Sequence, residues 1–296
     1  MRENKNKNNR NRTTETEQQK QNNNKDNNKD NNKDNNKDNN NEVRKRDNSD
    51  DKGGRAMSEV RRRRDAGSIR LGERDRVGLD WCATQGALRL DQLARLFAHL
   101  DDRSVSVDAA RKTVDRWVAR DWAVRRVLLV GRPPFVWLTT AGLRVTGRRL
   151  GSEEPALATL EHASDVVDVR LALHDLLPGS IWRAEREIRA VMPPRARGER
   201  VAHVPDAELL LSDGRLVAIE RERVAKTLER TRHIQLGLLT RRYDYDQGRD
   251  VATPLLTPRY DAVWYYASDA ALNIVTRALE SLPEDLRSRL EVVRWP

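Results

Sequence analysis

The chain has 296 residues, of which 37% are hydrophobic and 34% are charged, and its formal net charge is +10. No apolar run approaches the roughly 20 residues that a membrane-spanning helix needs, and no short apolar segment near Met1 resembles a secretory signal. Cys82 is the only cysteine, which excludes an intramolecular disulfide framework and zinc-finger spacing. These features predict a soluble, cytoplasmic protein that does not associate with membranes.

The positive charge is unevenly distributed along the chain. Residues 1–56 carry a net charge of +4, residues 57–150 carry +9 and residues 151–296 carry −3. A concentrated positive block attracts polyanions, because counterions are released when phosphates are neutralised. The block therefore favours a nucleic-acid partner, and the acidic remainder predicts a domain with a different task.

The N-terminal segment differs in composition from the rest of the chain. Residues 23–38 are four copies of Asn-Asn-Lys-Asp, and nine lysines precede Met57 whereas only two follow it. Because so few apolar side chains cannot offset the ordering entropy, we predict that residues 1–68 form a disordered, low-complexity and basic arm. A translation start at Met57 and a flexible arm with weak affinity for nucleic acid both explain this composition. The basic run Arg61–Arg64 is either a solvated helix start or a phosphate contact.

Residues 69–150 have the pattern of a winged-helix domain. From Glu73 onward, apolar residues at helical spacing predict three helices. Two β-rich stretches follow, Trp122–Val130 and Phe135–Leu138. A Gly-Arg-Pro-Pro turn separates the two stretches, and a short helix over Thr139–Leu150 closes the unit. Three helices followed by a β-hairpin are the element order of a winged helix, which predicts DNA binding.

The third helix is expected to enter the major groove, as the later helix of a helix-turn-helix does. Its cap is predicted at Ser104 or Ser106, and Trp117 and Val118 are placed on its buried face. Basic residues lie on the other side of this helix and on the hairpin, or wing. A solvated face, with nearby aspartates pairing some of the cations, would give the same pattern, but the basic block favours DNA. The predicted DNA contacts are Arg111, Lys112 and Arg116 on the helix and Arg125, Arg126 and Arg132 on the wing.

Residues 151–296 have the pattern of a second domain with a mixed sheet flanked by helices, so the fold class is α+β overall. A connecting helix is predicted over Pro155–Leu177, and Ser212–Arg215 is a hairpin signal because Asp-Gly tolerates positive φ values. The predicted strands are Ile181–Ala190, Ala207–Leu211, Leu216–Glu222, Ala262–Ala267 and Leu290–Val293, and the predicted helices are Val224–Asp244 and Ala270–Leu282.

Two acidic segments of the second domain are predicted to meet at one end of the sheet. Asp206 begins one strand of a hairpin, and Glu220 and Glu222 share one face of the other strand. Converging carboxylates suit a hard cation such as Mg²⁺ or Mn²⁺, which would activate water for attack on a phosphate. Solvated carboxylates at a sheet edge would give the same spacing. The candidate metal ligands are Asp206 and Glu220.

The spacing of Asp206 and Glu220 resembles the acidic core of the PD-(D/E)XK nuclease superfamily. In that superfamily a lysine stands two residues after the second acid, and here Glu222 stands there instead. Lys226, one helical turn further on, is a candidate replacement, and Glu185 is a candidate for an additional carboxylate. The resemblance implies a restriction-endonuclease-like fold for residues 151–296. The predicted catalytic residues are Asp206, Glu220, Glu222 and Lys226.

Most of the foldable chain, residues 75–294, resembles the replication-relaxation family of plasmids and integrated elements of Gram-positive bacteria. The resemblance implies a winged helix joined to a nuclease-like domain, with a role in plasmid replication or DNA relaxation. It also implies double-stranded DNA and plasmid replication or transfer proteins as partners. The matching stretches are Arg111–Asp121, Val136–Gly142, Leu160–His162, Ile181–Glu185, Pro205–Ala207 and Ile219–Glu222.

Three functions are compatible with these features. The first is a DNA-binding accessory protein of a plasmid or integrated mobile element. The second is an Mg²⁺- or Mn²⁺-dependent DNA nuclease or nicking enzyme, and the third is a winged-helix transcriptional regulator. Scattered histidines and the lack of a glycine-rich phosphate loop argue against a tyrosine relaxase and against ATP-driven chemistry. Tyr243 and Tyr245 are expected to be packing or surface residues, and His162 and His233 are expected to satisfy hydrogen bonds on helices and not to bind a metal. Core packing is expected for Trp264–Tyr266, with stacking on exposed bases as the alternative.

Overall fold

The computed structural model describes residues 71–192, 203–245, 252–254 and 257–296. The predicted arm at residues 1–68, with its run Arg61–Arg64, lies outside the described residues. Residues 67–296 belong to one unit of mixed α and β structure. Within the described part of this unit, no helix is both long and apolar enough to cross a membrane.

The first part of the unit consists of helices and a small antiparallel sheet. Its strands are hydrogen-bonded in the order β1-β3-β2, so the hairpin of β2 and β3 follows the third helix as predicted. The elements are α1 (Glu73–Gln85), β1 (Leu88–Arg89), α2 (Leu90–Asp101), α3 (Val107–Val118), β2 (Ala123–Arg126), β3 (Phe135–Leu138) and α4 (Thr140–Thr146).

The start and the buried face of α3 follow from its sequence. Ser106 Oγ accepts a hydrogen bond from the Ala109 amide at 3.2 Å, which confirms one of the two predicted caps. Trp117 is buried as predicted, and its indole Nε1 donates to Asp75 Oδ1 at 2.8 Å. Val118 was expected on the same face but is 42% exposed. The prediction fails because Val118 is the last helical residue and lies about 100° around the axis from Trp117.

The second part contains a larger mixed sheet between helices. Strands β4, β5 and β6 are antiparallel, whereas β6, β9 and β10 are parallel, in the order β10-β9-β6-β5-β4. A separate ribbon pairs β7 with β8. The elements are α5 (Leu157–Leu176), β4 (Ile181–Ala184), α6 (Glu185–Ala190), β5 (Ala207–Leu210), β6 (Leu216–Glu222), α7 (Leu228–Leu239), β7 (Tyr243–Tyr245), β8 (Ala252–Pro254), β9 (Ala262–Ala267), α8 (Asp269–Glu280), α9 (Glu284–Arg287) and β10 (Leu290–Arg294).

Four predicted elements are wrong in extent. The β-rich stretch expected over Trp122–Val130 is a strand only over Ala123–Arg126, and the short helix expected over Thr139–Leu150 ends at Thr146. The strand expected over Ile181–Ala190 ends at Ala184, because the Ala184 amide donates to Glu187 Oε2 at 3.1 Å and caps helix α6. The helix expected over Val224–Asp244 begins only at Leu228, after a cap by Thr227, and ends at Leu239. The segment Tyr243–Tyr245 is a strand.

Helix α5 belongs to two hydrophobic cores. Its Val167 and Leu171 pack in the core of the first part, and its Val169 and Leu173 pack against one face of the large sheet. Helices α7 and α8 cover the opposite face. A helix that is apolar around most of its circumference is buried on several sides, and α5 consequently joins the two parts and fixes the position of its own polar residues.

Candidate functional site

The structure brings Asp206 and Glu220 together on neighbouring strands. Ala207 pairs with Ile219 in the register of β5 and β6, which places Asp206 beside Glu220 at the sheet end. Asp206 Oδ2 accepts a hydrogen bond from the Arg221 amide at 2.7 Å. Residues at the ends of paired strands are held by the backbone ladder, so the position of this carboxylate is fixed by the sheet.

Each of these carboxylates is bound by a histidine: His162, which was expected to satisfy a hydrogen bond from its helix, and His203, to which the sequence assigned no role. His162 Nε2, on α5, donates to Asp206 Oδ1 at 2.9 Å, and His203 Nε2 donates to Glu220 Oε1 at 2.8 Å. His203 stands three residues before Asp206, a proximity that was visible in the sequence. His162 lies 44 residues away on another element, and no local pattern connects it with Asp206.

Burial and mutual repulsion set the charge of the site. Glu220 is 3% exposed, and this burial together with the nearby Asp206 raises the pKa of Glu220 to about 7. Burial alone would lower the pKa values of His162 and His203, but their carboxylate partners outweigh it and both pKa values are raised. The two histidines are consequently more readily protonated than free histidine, and each holds a carboxylate by a charge-assisted hydrogen bond.

Glu222 and Lys226 form an ion pair next to this centre. Glu222 is 7% exposed, and Lys226 Nζ contacts its Oε2 atom. Tyr265 pairs with Glu220 in the parallel register of β6 and β9, and burial raises the Tyr265 pKa well above its ordinary value. Its hydroxyl is buried and has no hydrogen-bond partner within the described ranges. Lys226 therefore lies close enough to the acidic cluster to stand in for the lysine of the PD-(D/E)XK pattern. Its charge, however, is paired with Glu222.

Glu185 lines a cavity of about 360 Å³ together with His162 and Asp206. The cavity lies between α1, α5 and the start of α6. The Glu185 amide donates to the Asp206 carbonyl at 2.9 Å, while its carboxylate accepts from Arg189 Nε at 2.7 Å. Glu185 is consequently near the acidic centre, with its charge paired to a neighbour on its own helix.

The oxygen donors of Asp206 and Glu220 have the right chemistry for Mg²⁺ or Mn²⁺, but their arrangement does not fit one. Both Asp206 oxygens accept hydrogen bonds, from His162 and from the Arg221 amide, and one Glu220 oxygen is bound by His203. In the part of the chain that the structure describes, no group of three or more His, Cys, Asp or Glu side chains is arranged to hold a metal ion. The metal ion remains a prediction from the sequence.

The cations predicted to contact DNA are exposed or partly exposed, and most are paired with carboxylates. Arg111 donates to Asp108 and Asp115 at 3.0 Å each. The others pair as follows: Lys112 with Asp108 at 3.6 Å, Arg116 with Asp75 at 3.1 Å, Arg125 with Asp115, and Arg126 with Glu154 at 3.5 Å. The pairs of Arg111, Lys112 and Arg126 are exposed on both sides and contribute about 0–1 kcal/mol each, so a phosphate can replace the carboxylate at little cost. Arg116 is different, because its partner Asp75 is buried.

The turn of the β2–β3 hairpin lies against α5. Leu128 and Leu129 pack with the buried Leu160, and Arg132 lines a narrow cleft with Glu161. Glu161 accepts a hydrogen bond from Arg223 at 2.7 Å, and this bond, with a smaller contribution from Arg132, lowers the Glu161 pKa. Arg132 is therefore a predicted wing contact that faces α5 of the second part of the unit.

Comparison of the chain with family models, curated proteins and solved structures finds no match.

The raised pKa of Glu220 predicts a pH-dependent stability. Unfolded glutamate has a pKa near 4.3, so between pH of about 4.3 and 7 the folded state holds a proton that the unfolded chain has lost. The free energy of unfolding should therefore fall as pH rises through this window. Glu220→Gln, a neutral isostere, should unfold like wild type near pH 5 and be more stable by about 2–3 kcal/mol near pH 8.

Denaturant unfolding of both proteins across this pH range measures the difference. Glu280→Gln removes an exposed carboxylate on α8 and serves as the matched control, with an unchanged profile. If wild type and Glu220→Gln were equally stable at pH 8, the prediction would be wrong. The surroundings of Glu220 would then not destabilise its ionised carboxylate.

Proposed function

We propose that the chain is a DNA-binding accessory protein of a plasmid or integrated mobile element. Residues 69–150 act as a winged-helix module, with α3 in the major groove and the β2–β3 hairpin against the backbone. Residues 151–296 form a nuclease-like domain that serves as a platform for DNA or protein. The chain acts on double-stranded DNA in the cytoplasm, alongside replication or transfer proteins.

The observation that carries the proposal is the placement of basic side chains on α3 and the hairpin. Three helices precede an antiparallel hairpin, and the buried side of α3 is fixed by Ala110, Val114 and Trp117. The opposite side presents Arg111 and Lys112, which are 44% and 72% exposed. In a helix-turn-helix arrangement this is the side that meets the groove and the phosphates.

The aspartates that pair with these cations do not argue against DNA binding at this surface. The partners of Arg111 and Lys112 are Asp108 and Asp115 on the same helix, and each pair is exposed. Phosphate contacts gain free energy from counterion release, which exposed ion pairs within the protein do not provide. The aspartates would then limit affinity and hold the arginine side chains in a defined orientation before DNA arrives.

The proposal predicts a loss of DNA affinity when three of these cations are removed. The variant Arg111→Ala, Lys112→Ala, Arg126→Ala should bind a duplex at least about tenfold more weakly in low salt. The slope of log affinity against log salt should decrease by about 2–3, because each phosphate contact contributes about 0.9. Fluorescence anisotropy with a labelled duplex at several salt concentrations measures both quantities.

The matched control is Arg215→Ala, Arg277→Ala, Arg294→Ala, which removes three cations from the second part of the unit. All three control residues are exposed, so folding should be preserved. An equal loss of affinity in both triple variants would mean that net charge, and not the α3 surface, governs binding, and the proposal would be wrong.

A nuclease is the second candidate, favoured by the meeting of Asp206 and Glu220 beside Lys226. Supercoiled plasmid incubated with Mg²⁺ or Mn²⁺ distinguishes the two proposals. The DNA-binding proposal predicts intact plasmid with both wild type and the Asp206→Asn, Glu220→Gln variant. Nicked or linear plasmid from wild type alone would establish cleavage and identify these carboxylates as its centre.

A further inference from the structure

A second cavity, of about 310 Å³, lies between α1, α5 and β4. It shares only Thr84 with the cavity beside Asp206. Pockets for small molecules begin at about this volume and are usually lined by apolar and aromatic side chains with a few polar groups. The apolar lining consists of Trp81, Leu173, Ile181, Trp182 and Leu209.

Two arginines line this cavity, Arg170 on α5 and Arg148. The guanidinium carbon of Arg170 lies 3.6 Å from the centre of the Trp81 ring, and its Nη1 donates to Thr84 Oγ1 at 3.1 Å. With its amide oriented to satisfy both of its neighbours, Gln85 accepts from the same Nη1 at 3.0 Å. All hydrogen bonds of Arg170 therefore leave from one nitrogen. Its Nε is buried and has no acceptor among the residues that the structure describes.

No carboxylate pairs with Arg170 in the described ranges. The acidic residues nearest to its charge, Asp80 and Glu187, are held by Arg148 at 2.8 Å and 2.7 Å. Burial lowers the Arg170 pKa to about 9, although a buried cation is normally paired. Stacking on Trp81 offsets part of this cost. Nη2, unlike Nε, is not a buried atom, and it donates no hydrogen bond within the described ranges, so it is left for another molecule.

We propose that this cavity binds a small organic carboxylate. Nη2 of Arg170 donates a charge-assisted hydrogen bond to the carboxylate, and the two tryptophans and three aliphatic residues enclose an apolar body. A monoanion matches the single unpaired charge of Arg170. A phosphate dianion fits less well because Asp80 and Glu187 lie at the same cavity.

The bound molecule would touch both parts of the unit. Trp81 belongs to α1, whereas Trp182 belongs to β4 of the large sheet. A ligand that contacts both would stabilise the folded state by mass action. The site uses none of the predicted DNA contacts and none of the residues of the acidic centre at Asp206 and Glu220, and it goes beyond the proposed function.

Benzoate is a suitable probe, with benzamide as its uncharged counterpart and inorganic phosphate as the competing anion. Each is titrated into the full chain while the indole N–H signals are followed by NMR. Benzoate should shift the signals of Trp81 and Trp182 and leave that of Trp264 unchanged. Benzamide should bind at least about tenfold more weakly because it lacks the negative charge. Phosphate should also bind at least about tenfold more weakly, because its second charge lies near Asp80 and Glu187.

A variant at the cavity mouth tests the location without disturbing the core. Ile181 is 62% exposed, so Ile181→Glu should fold and weaken benzoate binding by about tenfold through charge repulsion. Leu176→Glu, at the exposed end of α5, is the control and should bind benzoate like wild type. Equal binding of benzamide and benzoate, tighter binding of phosphate, unchanged indole signals, or equal affinity of the two variants would each overturn the proposal.

Discussion

Replacing Glu208 by glutamine is expected to lower the free energy of unfolding by about 3–5 kcal/mol, the largest effect of any single substitution considered for this chain. Glu208 lies on β5 and is 2% exposed. It accepts hydrogen bonds from Arg259 Nε and Nη2 at 2.9 Å each, from Arg183 at 3.2 Å and from the Tyr260 hydroxyl at 2.8 Å. Glutamine keeps the shape but removes the charge that compensates buried guanidinium groups.

The exposed carboxylate of Asp213 provides the contrast. It pairs with Arg215 in the β5–β6 turn, and Asp213→Asn should change stability by at most about 1 kcal/mol. Denaturant titrations of the two variants and wild type, with equal m-values, give the comparison. If Glu208→Gln cost no more than Asp213→Asn, the buried charge would not hold this region together.

Gly142→Ala is expected to cost about 3 kcal/mol or more, because a side chain at this position collides with the backbone. A Cβ atom on Gly142 would lie 1.9 Å from the Trp122 carbonyl oxygen and 2.8 Å from its carbonyl carbon. That carbonyl already accepts a hydrogen bond from the Thr139 amide at 3.0 Å, which ties the start of α4 to the hairpin. Backbone atoms cannot rotate away as a side chain does, so the cost lies at the upper end for overpacking.

Gly147→Ala separates this collision from the general cost of losing a glycine. Gly147 ends α4 with φ of 72°, and a Cβ there would meet nothing within 4 Å. The strain of the left-handed conformation alone should cost about 1–2 kcal/mol. Thermal unfolding should therefore place Gly142→Ala several degrees below Gly147→Ala. Equal melting temperatures would contradict the close approach of Gly142 to Trp122.

The sequence predicted the bounds of three strands, because alternation and turn residues are local signals, whereas β2 and β4 are shorter than predicted. Phe135–Leu138, Leu216–Glu222 and Ala262–Ala267 have the predicted bounds, and the turn at Gly214 has the expected positive φ of 86°. The sequence did not predict where β4 ends. The helix that follows β4 is capped by the side chain of Glu187, and a glutamate at this position does not by itself distinguish a strand from a helix.

The acidic centre was predictable only in part. The meeting of Asp206 with Glu220 follows from strand register, which the hairpin turn determines. The histidine on each carboxylate depends on how α5 and the segment before β5 pack against the sheet, and no spacing rule encodes such packing. The aspartates on α3 were visible at three- and four-residue spacing from Arg111, and they form the pairs expected of a solvated face.

Hydrogen exchange of the full chain, with and without a saturating duplex at low salt, tests the winged-helix proposal most directly. The account predicts slower exchange of backbone amides in residues 107–126, which include α3 and the strand β2, and little change in α7 and α8. Slower exchange confined to the Asp206–Glu222 region would place the DNA at the acidic centre and contradict the proposed interface.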